Sequence, residues 1–177
     1  MVDREQVVAE LDRVRQDYRA LLDGADAGDL RRRSNGTRWT NRQLLFHMLF
    51  GYLLVATLRP LVWVFAHCPS RVSRVFAGGL DSAARPFHVV NYVGSLGGGR
   101  LLGRAGMAWL MDVVLARLQR SLRRAPDRAL SRGMHFPVRW DPYFKDFMTV
   151  LEVSHYGTQH YDHHRGQLTL KPSPNPE

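Results

Sequence analysis

A chain of 177 residues with 45% hydrophobic and 23% charged residues has enough apolar material to bury one substantial core, which excludes a disordered polyampholyte. The net charge of +9 raises a nucleic-acid hypothesis, but 23 of the 25 basic residues are Arg, scattered from Arg4 to Arg165, with the densest runs only "RRRSNGTR" (31–38) and "RSLRR" (120–124). Dispersal of that kind is expected of a solvated surface, so nucleic acid is not the expected partner.

The first helix is expected from Arg4 to Asp23. Asp3 is its N-cap, with Gln6 three residues on, and Val7, Leu11, Val14, Tyr18 and Leu21 recur at helical spacing before Gly24, which suits a left-handed end. A polar loop follows. The second helix starts at "WTNRQL" (39–44), where Thr40 and Gln43 form a capping box and Trp39 and Leu44 occupy the positions of a hydrophobic staple. It should run to about Leu58, because Pro60 cannot continue the hydrogen-bond ladder.

The stretch from Leu44 to Cys68 is apolar, but His47, Arg59, Pro60 and His67 interrupt it short of the ~20 residues a membrane span needs, so no span is expected. Cys68 is the only cysteine, which rules out an internal disulfide and suits a reducing compartment; with a charged, amphipathic start and no apolar leader, a cytoplasmic location is expected.

The segment "VGSLGGGRLLGRAG" (93–106) fails the dinucleotide fingerprint, because Leu102 stands where the third glycine belongs, and it lacks the Gly-Lys-Ser/Thr ending of a phosphate loop. A flexible connection is expected there. The third helix should span Leu101 to Arg124, with Leu102, Trp109, Val113 and Leu118 inward and Arg117, Arg120 and Arg124 outward. Asp141 and Pro142 read as the cap and first position of a fourth helix extending to about Leu170, followed by a tail, "KPSPNPE", expected to be disordered. The chain therefore reads as all-α: a helical bundle over residues 1–170, with short extra helical pieces between the second and third helices.

"HYDHHRGQL" (160–168) carries three histidines in five positions. At ~100° per residue, His164 lies about 40° from His160 and one turn along the axis, and His163 about 60° to the other side, so spacing alone allows either pair to share an ion. His155 is rotated about 140° away and should face elsewhere. A lone His47 in an apolar helix is ordinarily a core histidine, and spacing does not join it to His160.

A helix opening "WTNRQLLFH" and a last helix carrying "HYDHHRGQL" resemble the DinB family, the helical-bundle group that includes bacillithiol and mycothiol S-transferases. The resemblance covers the chain to Leu170 and implies a four-helix bundle in which a histidine of the second helix joins a His-x-x-x-His pair followed by Arg-Gly-Gln-Leu. It selects His160 and His164 as the pair and His47 as the third metal ligand, leaving His163 as a neighbour.

Three neutral imidazoles on a divalent ion leave open coordination positions, as in a catalytic rather than a closed structural site. The implied activity is metal-dependent transfer of a low-molecular-weight thiol, of mycothiol or bacillithiol type, to an electrophile. Zn²⁺ is the first choice of ion, and imidazole ligation also suits Ni²⁺, Fe²⁺ and Mn²⁺. Two alternatives are a hydrolase using a bound hydroxide and a non-catalytic bundle that binds metal or a partner; for the hydrolase no carboxylate is clearly on the His160 face, Glu152 lying two turns away. Tyr156, one turn before His160, and Gln167, about two turns after it and one turn after His163, are placed to line the pocket or orient a ligand, although ordinary packing is the commoner role. Arg38 and Arg139 are candidates to read a carboxylate on the thiol, Arg165 is expected in a salt bridge, and a homodimer is expected only because two-fold dimers are common.

Overall fold

The computed structural model describes residues 2–171, so all of the expected tail but Lys171 lies outside the described residues. Eight helices and one two-stranded sheet are present among them. Four long helices make the bundle: α1 (Arg4–Gly24), α3 (Asn41–Phe65), α6 (Arg104–Arg124) and α8 (Val150–Arg165). α1 packs on α6 and α8, and α3 packs on the same two, which places α1 and α3 diagonally. The short α2 (Ala27–Arg31) leads into α3, while α4 (Ser70–Ser82) and α5 (Ala84–Leu101) fill the long connection to α6. After α7 (Asp127–Leu130), β1 (Gly133–His135) and β2 (Phe147–Thr149) pair antiparallel, Met134 opposite Met148. All-α class and the extra helices between the second and third long helices agree with the sequence reading.

The core is one apolar cluster built from the inward faces of the four long helices, including Leu11, Tyr18, Leu45, Met48, Leu49, Met111, Leu115, Leu118 and Val153. Burying such side chains contributes about 1.5–3 kcal/mol each, and this drives the bundle together. The third long helix presents a face one step round from the one expected. Met107, Met111, Val114 and Leu115 are buried, whereas Trp109 and Val113 are exposed. α1 begins as expected, with Asp3 accepting from the Gln6 amide. Gly24 is its last helical residue and is not left-handed; Gly36 alone has a positive φ among the described residues.

Three further expectations change. Pro60 does not end the helix: α3 continues to Phe65, because Leu58 and Val62 on either side of Pro60 are both buried and hold the turn in place of the missing hydrogen bond. The continuous helix has the length and hydropathy of a membrane span, and it packs against α5, α6 and α8. The glycine-rich segment is mostly helix rather than a flexible loop. Two of its glycines serve contact: a Cβ on Gly98 would fall inside the Phe46 ring, and one on Gly99 would sit 3.1 Å from the Gln43 Cα. Finally, Asp141 does not cap the last helix. Its Oδ1 accepts from the Tyr143 amide in a local turn, and α8 starts nine residues later at a capping box formed by Thr149 and Glu152, ending at Arg165 instead of Leu170.

Candidate metal centre

His47 sits two turns into α3 on the side facing α8, and His160 and His164 sit one turn apart near the C-terminal end of α8. The packing of α3 on α8 brings them together, with a nitrogen from each lying within 4.8 Å of the others. The Nε2 atoms of His47 and His164 are 3.1 Å apart, close to the ~3.3 Å between two nitrogens bound tetrahedrally to one ion at ~2.05 Å. His47 and His160 are buried, and His164 is half-buried.

Each ring has an acceptor on its outer nitrogen. His160 Nδ1 lies 2.9 Å from Asp141 Oδ2, and His164 Nδ1 lies 2.7 Å from Gln167 Oε1. His47 Nδ1 lies 3.3 Å from Ser95 Oγ, whose hydroxyl donates to the Asn91 carbonyl at 2.8 Å and leaves the oxygen free to accept. These partners place the protons on Nδ1 and the lone pairs on Nε2. Three lone pairs then face one point, and His160 Nε2 is buried without any hydrogen-bond partner. Such an arrangement is unfavourable with nothing between the nitrogens and favourable around a cation. The donor set therefore fits a divalent metal ion.

Electrostatics agree with neutral, ligand-ready rings. Burial, then the neighbouring His160 and His164, holds the His47 pKa well below the ordinary value. Burial, then His160, lowers His164 to about 4. Burial alone would raise the Asp141 carboxyl, but hydrogen bonding and charge from His160, with the Tyr143 amide and the Tyr156 hydroxyl, bring it below the usual range, so it stays ionised.

A narrow cavity of about 20 Å³, room for roughly one water, adjoins the cluster. Its walls include Asn91, Asp141 and Tyr156, together with Phe87 and Trp140, whose rings stack with centroids 3.8 Å apart. Trp39, at the start of α3, packs its indole against the His47 ring at 4.4 Å. Gly51, one turn after His47, leaves the space that the His160 ring occupies.

His163 is exposed, its Nδ1 3.2 Å from the Tyr143 hydroxyl. His155 turns to Glu10 at 2.8 Å. Gln167 does orient a ring, and Tyr156 lines the cavity and donates to Asp141 at 3.0 Å. Arg165 pairs with Asp17 at 2.9 Å, Glu152 is spent on the cap of α8 and Lys145, and Arg38 and Arg139 are exposed and line no wall of the cavity. Sequence reasoning missed Asp141 and Ser95. Asp-Pro reads as a helix start, and the glycine-rich sequence around Ser95 reads as a loop; neither carries a signal toward a histidine more than a dozen residues away.

Among known families, the profile described as the DinB superfamily matches residues 10–168. No curated protein and no solved structure matches the chain.

Proposed function

This chain belongs to the DinB superfamily, and we propose that it is a metal-dependent thiol S-transferase in which His47, His160 and His164 hold one divalent ion. The observation that carries the reading is the convergence of three Nε2 lone pairs, one of them buried and unpartnered, beside a cavity. An ion bound by three neutral imidazoles supplies Lewis acidity, which favours the thiolate form of a low-molecular-weight thiol for transfer to an electrophile. The chain's own contribution is geometric. Asp141, Gln167 and Ser95 fix ring orientation and tautomer, Trp39 packs against the His47 ring, and Phe87 with Trp140 shields the cavity from water.

Hydrolysis is less well supported. It wants a carboxylate free to take a proton from water. Asp141 is the only carboxylate on the cavity wall among the described residues, and both its oxygens are engaged, Oδ1 by the Tyr143 amide and Oδ2 by His160 and Tyr156. Zn²⁺ is the first ion to test, followed by Ni²⁺, Fe²⁺ and Mn²⁺.

The test is conjugation of a thiol, mycothiol and bacillithiol first, to 1-chloro-2,4-dinitrobenzene by metal-loaded protein. The expected result is a metal-dependent rate above the uncatalysed background, abolished in His160→Ala. A metal-loaded protein that gives only the background rate with either thiol, while hydrolysing a model ester, contradicts the reading.

A further inference from the structure

Twelve and sixteen residues beyond His47, ~18 and ~24 Å further along α3, Arg59 and Trp63 form one wall of a second cleft of about 310 Å³. The other walls bring Arg117 and Leu118 from α6, Leu130 from α7 and Val150 from α8. None of its lining residues belongs to the cavity beside the histidines.

Arg59 is the unusual member. Among the described residues it makes no hydrogen bond or ion pair, and its Nε is sealed from solvent without an acceptor. By contrast, Arg15 and Arg19 share the Asp112 carboxylate. An arginine serving only solubility carries its head group into water and lays its stem on the apolar surface. Arg59 instead keeps part of its guanidinium buried, and burial lowers its pKa, the signature of a charge desolvated without compensation. Among the described residues no Asp or Glu lines the cleft, and the adjoining surface of α6 adds Arg120 and Arg124. The charge available for pairing is therefore positive only, and the floor beside it is apolar.

We propose that this cleft is a binding site for an amphiphilic organic anion, a carboxylate with an apolar body. The carboxylate pairs with the Arg59 guanidinium, whose planar fork suits two parallel hydrogen bonds, and the apolar body lies against Trp63, Leu118, Leu130 and Val150. This site requires neither a metal nor the transferase reading.

Calorimetric titration of the full chain with octanoate tests it, with octanol and inorganic phosphate as the neutral and the headless controls. The expected result is one octanoate per chain, with octanol and phosphate each at least about tenfold weaker. Arg59→Met should weaken octanoate by about tenfold or more, and Arg59→Lys by less, with circular dichroism unchanged in both. His47→Ala should bind octanoate as the wild type does, which separates this cleft from carboxylate capture at the histidine cluster. Absence of octanoate binding, equal affinity in wild type and both Arg59 variants, loss of binding in His47→Ala, or octanol or phosphate matching octanoate would each overturn the proposal.

Discussion

Gly51→Ala tests the centre without touching a donor atom. A Cβ at position 51 would stand 2.7 Å from the His160 Cδ2 and 3.2 Å from its Nε2, whereas ordinary van der Waals contact begins near 3.4 Å, so the ring must retreat by about 0.7 Å. Metal–nitrogen bonds near ~2.05 Å tolerate only about 0.2 Å. The opposite side of the ring is held by Asp141, which leaves the displacement nowhere to be absorbed except at Nε2. Metal affinity should fall by about 10–100-fold, the range seen when a ligand loses its orienting partner. Removing a mid-helix glycine gains about 0.5–1 kcal/mol, and the crowding costs about 1–3 kcal/mol, so the variant should still fold. Chelator competition gives the affinity and thermal unfolding of the metal-free protein gives the stability. Gly94→Ala on α5, where an added Cβ meets open space, is the control for helix propensity and should leave metal affinity unchanged. A Gly51→Ala protein that binds metal like the wild type would refute the placement of His160 in the site.

Asp141→Asn preserves shape but removes the charge behind His160, and about a tenfold loss in metal affinity is expected from the same chelator competition, against little change in Tyr156→Phe. His163→Ala should retain metal, while His160→Ala and His164→Ala lose it, as read by elemental mass spectrometry. The metal-free protein should become less stable as pH falls from about 6.5 toward 4. Over that window the unfolded chain takes up a proton that folded His164, with its pKa lowered to about 4 by burial and by His160, refuses. His164 alone contributes up to about 3 kcal/mol of the loss, measurable as a falling urea midpoint; a flat midpoint across the window would contradict the buried, neutral ring.

The ends that local chemistry controls were legible in the sequence. Asp3 and Thr40 cap their helices through side-chain bonds to amides three residues on, and the spacing of His160 and His164 survives because it lies within one helix. Tertiary packing decided the rest. Pro60 signals a stop, yet the burial of Leu58 and Val62 carries the helix past it. Gly98 and Gly99 signal a loop, yet they let α5 lie against Phe46 and Gln43 of α3. Asp141 shows how one local signal serves two ends: an aspartate accepting from a nearby amide reads as a cap, while its second oxygen serves His160, 19 residues away. The union of His47 with the α8 pair came from family resemblance and not from spacing, since 117 residues separate His47 from His164.

That union is the central claim, and metal content tests it most directly. Protein purified without a histidine tag and supplied with Zn²⁺, Ni²⁺ or Mn²⁺ should carry close to one ion per chain, and His47→Ala, altered on α3 alone, should lose it. A wild type that takes up no metal, or a His47→Ala protein that holds it as tightly as the wild type, would contradict a single centre built across α3 and α8.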